Sequence, residues 1–168
     1  MPDLLLFRHA KSDWGDPSLA DIDRPLNDRG RRAARAMGGV LAGLPRIDEV
    51  WVSPARRVRE TLAGLVDGGA DLPMPRTVDA IYGASAARLL DLLAQARTGR
   101  LLLVGHDPGF HDVALRLAVA GDPDRLRALR GKFPTGALAE LAFDGDWADV
   151  TASGARLVRF VRPRDLSA

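Results

Sequence analysis

Three short apolar runs recur along the chain, and each stops at a cationic or imidazole side chain. Leu4-Leu5-Leu6-Phe7 runs into Arg8-His9, and Val50-Trp51-Val52 runs into Ser53-Pro54-Ala55-Arg56-Arg57. Leu101-Leu102-Leu103-Val104 runs into Gly105-His106-Asp107. Runs of this length, free of polar residues and bounded by Pro or Gly, read as strands buried on both faces, the condition of a parallel sheet. Helical patterns separate them. Asn27 is placed to cap a helix running to about Ala42, with Ala33, Ala34, Met37, Val40 and Leu41 on its buried side. Pro54 suits the first turn of a helix carrying Val58, Leu62 and Leu65. Further helices are expected over 86–95 and from about Phe110 to Val119, with a short strand near Thr77 and Val78.

Residues 13–25, rich in Asp, Gly and Pro, read as a loop, and 120–135 as a short connection. The alternating stretch 137–143 and the stretch 155–161 read as strands of a closing antiparallel meander, with a Gly-Asp turn and Trp147 between them. The order of elements predicts one domain over 1–168. It is an α/β fold of three layers, α/β/α, around a mixed, mainly parallel central sheet.

Composition narrows the function. A chain of 168 residues with 27% charged and 46% apolar content has the make-up of a globular domain with a full core. Its 22 arginines against two lysines are spread without a basic block or interleaved aromatics, so nucleic acid is not an expected partner. The absence of cysteine excludes disulfides, thiol catalysis and thiolate metal sites. No apolar run approaches a membrane span and the chain enters a strand at once, so a cytoplasmic protein with no membrane partner is expected.

In open α/β sheets, ligands sit beyond the carboxyl ends of the strands. If the three strands are neighbours, His9, His106, Arg8 and Arg57 meet at one point, a constellation suited to a phosphoryl group. A neutral imidazole attacks phosphorus through one ring nitrogen while the other donates its proton to an acceptor. The planar guanidinium fork pairs two donors with two phosphate oxygens. A metal is not expected, because His106 and His111 lie five apart and share no helix face as an i, i+4 pair would, and no third ligand is evident. His111 reads as a surface or capping residue. Trp51 and Trp147 read as core, and Trp14, close behind the His9 loop, as a packing residue or a pocket wall.

The stretch Leu6-Phe7-Arg8-His9-Ala10-Lys11-Ser12 resembles the Arg-His-Gly signature of the histidine phosphatase superfamily, the group of phosphoglycerate mutases and acid phosphatases. Ala10 in place of Gly is similar to the small SixA-type phosphohistidine phosphatases. Ser53-Pro54-x-x-Arg57-x-x-x-Thr61 resembles that family's second motif, and its four-residue spacing selects Arg57 over Arg56. The segments 104–109, 23–30 and 132–138 are similar to further family segments.

The resemblance implies a phosphoglycerate mutase-like fold and no cofactor. It implies a phosphorylated His9 intermediate, with Arg8, Arg57 and His106 binding phosphate. Ser12, in the same loop, is a further candidate phosphate contact. Asp79 precedes Tyr82-Gly83-Ala84 by the spacing at which mutase-like members carry their acidic residue, and is the candidate general acid; its other role would be to stabilise that turn.

The implied activity is metal-independent dephosphorylation of phosphohistidine in proteins, with a phosphohistidine-bearing signalling or phosphotransfer protein as partner. A small-molecule phosphomonoester phosphatase of the same superfamily is the nearest alternative, and a non-catalytic phosphate-binding or scaffold domain is the alternative from another class.

Overall fold

The computed structural model describes residues 2–166. Seven strands form one sheet: β1 (Asp3–Arg8), β2 (Glu49–Val52), β3 (Arg76–Thr77), β4 (Arg100–Gly105), β5 (Ala118–Gly121), β6 (Leu138–Ala142) and β7 (Ala155–Val161). Their order is β3-β2-β4-β1-β6-β7-β5. Only β6 pairs antiparallel, with β1 on one side and β7 on the other, so six strands share a direction. The helices are α1 (Asp28–Ala42), α2 (Arg56–Asp67), α3 (Ala86–Leu93), α4 (Gly109–Leu117), α5 (Pro123–Gly131) and α6 (Val150–Ser153). This is the expected three-layer architecture.

Strand alternation builds the two cores. Leu5, Phe7, Val50, Val52, Leu102 and Val104 face Met37 and Leu41 of α1 and Val58 and Leu65 of α2. Leu4, Leu6, Leu101 and Leu103 point the other way, onto Leu89 and Leu93 of α3 and Phe110 and Val113 of α4. All ten of these strand side chains are buried, each contributing about 1.5–3 kcal/mol from apolar burial. Burial on both faces is why the central strands read as continuous apolar runs.

Helix α1 begins as expected, with Asn27 Oδ1 accepting the Gly30 N–H at 2.7 Å. A Cβ on Gly30 would collide with the Lys11 backbone, so this glycine lets α1 press against the loop that follows His9.

Four expectations change. Pro54 lies ahead of α2, whose N-cap is Ala55, because Ser53 Oγ accepts the Ala55 N–H and extends the loop. Helix α4 stops at Leu117, and the next residues form β5 on the outer edge of β7. The 120–135 connection contains α5, started by Asp122 capping the Arg125 N–H with Pro123 in the first turn. Between β6 and β7 there is a short helical excursion rather than a tight turn. There Trp147 is buried against Phe143 and donates to Thr98 O.

Candidate active site

Strands β2, β4 and β1 are consecutive in the sheet, so the loops leaving their carboxyl ends converge. The His9 N–H still donates to Gly105 O at 2.9 Å, and the Ser53 N–H to Val104 O at 3.1 Å, which holds both loops to the sheet register. His9, Arg8, Arg57, His106 and Ser12 are brought together around one pocket of about 490 Å³. The His9 and His106 rings stand 5.3 Å apart between centroids.

His9 Nδ1 lies 2.7 Å from the Ala10 carbonyl oxygen. A carbonyl only accepts, so Nδ1 carries the proton and Nε2 the lone pair. Burial pushes the His9 pKa down to about 3, helped by His106, Arg57 and Arg8, against the hydrogen bond to Ala10. The imidazole is therefore neutral at pH 7 and its Nε2 is a ready nucleophile. Thr61 braces this loop. Its hydroxyl accepts the Ala10 N–H at 3.0 Å and donates to Arg57 O at 2.7 Å, tying the nucleophile loop to the helix that carries the arginine.

Burial, and then Arg57, lower the His106 pKa to about 4. Its Nε2 is 2.7 Å from Ser53 Oγ and its Nδ1 is 3.4 Å from Arg57 Nη2. A guanidinium only donates, so Nδ1 accepts from Arg57 and Nε2 carries the proton, donated to Ser53 Oγ. The Nε atoms of Arg8 and Arg57 are buried without a hydrogen-bond partner among the described residues. The same holds for Arg100 and Arg159 away from the pocket, so these atoms do not by themselves mark an anion site. Arg56 instead lies at the surface, paired with Glu60 at 2.9 Å.

Asp79 is not brought into the pocket. It opens a 3-10 turn, is exposed, and its carbonyl accepts the Tyr82 N–H, so the turn delivers Tyr82 to the pocket in its place. Two carboxyls that sequence reasoning left unassigned line the pocket, Asp21 and Asp107. Asp21 accepts from the Tyr82 hydroxyl and from Arg57 and Arg24, and these bonds hold it well below the usual carboxylate range. It stays ionised and positions the arginines. Asp107 differs: burial raises its pKa, opposed by Arg8, whose Nη1 is 3.6 Å away.

Ser12 Oγ accepts from Arg24 Nη1 at 3.1 Å. Trp14 is 75% exposed and lies 3.4 Å over the Arg24 guanidinium, forming a wall of the pocket. His111 is a bridge rather than a helix cap, with Nε2 donating to Leu129 O of α5 at 2.6 Å.

Asp107 and Tyr82 sit inside the quoted motif segments, so proximity to His106 and to the Tyr-Gly-Ala stretch was the available signal. Asp21 had none, lying in a stretch that reads as a loop and in the structure opens a short 3-10 turn, Asp21–Asp23. Among the described residues no three His, Asp or Glu side chains come together to hold a metal ion. A second cavity, about 540 Å³, opens at the opposite end of the sheet beside Trp147 and Thr98, away from both site histidines.

The fold and this histidine–arginine pocket are those of a phosphatase. The family model for the histidine phosphatase superfamily (branch 1) matches residues 4–79. An uncharacterized protein of Mycobacterium tuberculosis is 41% identical over 163 residues, covering 94% of this chain and 100% of that one. A Nakamurella multipartitia structure, provisionally named phosphohistidine phosphatase SixA, is 32% identical with a TM-score of 0.81, covering 96% of each chain. An Agrobacterium tumefaciens structure of the same provisional name is 29% identical with a TM-score of 0.76, covering 97% of this chain and 99% of that one. The chain belongs to the histidine phosphatase superfamily.

Proposed function

We propose that the protein hydrolyses phosphohistidine in proteins through a phosphorylated His9, without a metal ion. The observation that carries this reading is the His9 ring itself: neutral, tautomer-locked by Ala10 O, and flanked in the pocket by the Arg8 and Arg57 guanidinium groups. In the first step Nε2 attacks phosphorus and the bond to the leaving group breaks, its electron pair passing to the leaving atom. Arg8 and Arg57 neutralise the charge on the equatorial oxygens, which is the main catalytic demand of phosphoryl transfer, and His106 contacts the phosphate as a neutral imidazole. Water then attacks the phosphorus, the P–Nε2 electron pair returns to His9, one water proton restores the acid that protonated the leaving group, and inorganic phosphate leaves with the hydroxyl.

The acid role falls to Asp107 rather than Asp79, since Asp107 lines the pocket and burial favours its protonated form. Its pairing with Arg8 weakens that tendency. A weak acid suits phosphohistidine, because an imidazole leaves neutral once it takes one proton, whereas an alkoxide demands a strong donor. The provisional names of the two structural relatives point the same way.

Acid-labile, base-stable phosphate should appear on His9 when enzyme turning over a labelled phosphohistidine protein is trapped, and not on His9→Asn. Label on Asp or Ser overturns the mechanism. Faster turnover of phosphorylated metabolites than of the phosphohistidine protein overturns the substrate assignment.

A further inference from the structure

The chain has only two lysines, and both, Lys11 and Lys132, line one groove of about 340 Å³ beside the reaction pocket. Lys11 and Thr135 line the pocket and the groove alike, so the two adjoin. Arg29, Arg162 and Arg164 complete the basic rim, and a depression of about 470 Å³ extends it past Arg32. No Asp or Glu lines either part. Arg162 is held by Asp165 at 2.9 Å, and Asp28, at the start of α1, is held by Arg31 at 2.9 Å. Lys11, Arg29, Arg32, Lys132 and Arg164 make no ion pair among the described residues, and all five are exposed.

The net charge is only +2, so this cluster is a local field and not the overflow of a basic chain. Like charges gathered on one face repel each other, and an acidic ligand turns that repulsion into attraction. Ala33, Pro134 and Pro163 add apolar surface to the same groove. Along α1 from Arg29 to Ala36 the trench runs about 10 Å, the length of about three residues of extended chain. A phosphorylated metabolite calls for donors converging on one point. Here the cations are spread along α1 and the stretches at 132 and 162–164 rather than gathered on one point, which fits a peptide.

We infer that this groove holds an acidic segment of a protein substrate, with Asp or Glu side chains flanking the phosphorylated residue seated against Lys11, Arg29, Lys132 and Arg164. The inference rests on the phosphoprotein reading above and adds to it what the protein selects.

Two measurements on the full chain test it. The triple variant Arg29→Gln/Lys132→Gln/Arg164→Gln spares Lys11, which also lines the reaction pocket. In the first, unphosphorylated eight-residue peptides, Glu-rich or Gln-rich, are titrated by fluorescence anisotropy at low and high salt. The Glu-rich peptide should bind the wild type, and bind about tenfold more weakly to the triple variant and at high salt, as expected of a few exposed ion pairs. In the second, kcat/KM is compared for phosphohistidine peptides with Glu or Gln flanks, with an aryl phosphate as reference. The Glu-flanked peptide should be preferred by about tenfold, the variant should erase the preference, and aryl phosphate turnover should stay unchanged.

Equal binding of both peptides, or a preference that survives in the variant or at high salt, overturns the groove assignment. So does full recovery of the preference by a minimal fragment with a single carboxylate, which would mark a small-anion site. No turnover of any substrate by the wild type, with the binding difference intact, would instead sink the phosphatase reading and leave the groove standing. If the variant misfolds, the salt dependence of the wild-type preference decides the question.

Discussion

The depressed basicity of His9 carries a consequence for stability that is separable from catalysis. The folded protein holds this imidazole neutral down to about pH 3, whereas in the unfolded chain it titrates at its ordinary value of 6.5. Between those limits the unfolded state binds a proton that the folded state refuses, so stability falls as the pH drops through this window. From pH 6.5 to 4.5 that is two pH units at about 1.4 kcal/mol each, a loss of about 3 kcal/mol attributable to His9.

The substitution His9→Asn keeps an amide N–H where Nδ1 donates to Ala10 O and removes the titration. His106, lowered to about 4, titrates in both proteins and cancels to first order. Urea unfolding of both proteins at pH 7.5 and pH 4.5 should show the variant gaining about 3 kcal/mol on the wild type as the pH falls. Parallel stability curves would refute the reasoning, for they would mean that His9 is as easily protonated folded as unfolded. The nucleophile would then lose its lone pair in mildly acidic solution.

Two further outcomes concern the pocket. Arg57→Ala should lower kcat/KM by about a hundredfold or more, and Arg56→Ala by no more than a few fold, since only Arg57 faces the reacting group; a reversed order in steady-state kinetics would misplace the phosphate. Asp107→Asn preserves the side-chain oxygen that accepts the His111 N–H but removes the acidic proton. It should cost about a hundredfold on alkyl phosphates and under about tenfold on phosphohistidine. Asp79→Asn should stay within about twofold on both, and a linear free-energy plot across leaving groups distinguishes a proton donor from a uniform positioning loss.

Local pattern determined a large part of this protein. The apolar runs specified buried parallel strands because a strand covered on both faces has no polar side to show. Asn27 marked the start of α1, and the four-residue spacing from Ser53 separated Arg57 from Arg56. What the sequence left undecided was everything that needed a partner distant along the chain. Ala118–Gly121 is a strand only because the edge of β7 is there to pair with it. Asp79 and Tyr82 are three residues apart, and only the tight turn between them sends the tyrosine into the pocket and the carboxyl to the surface. Asp21 becomes part of the site through contacts to Arg57 and Tyr82 across 36 and 61 residues. Asp107 acquires its raised pKa from burial, against the opposing pull of Arg8 at the end of β1. Periodicity and capping act within a few residues and can be read along the chain. Burial, pairing and the field at a carboxyl depend on what folding brings alongside it, and those the tertiary structure alone decided.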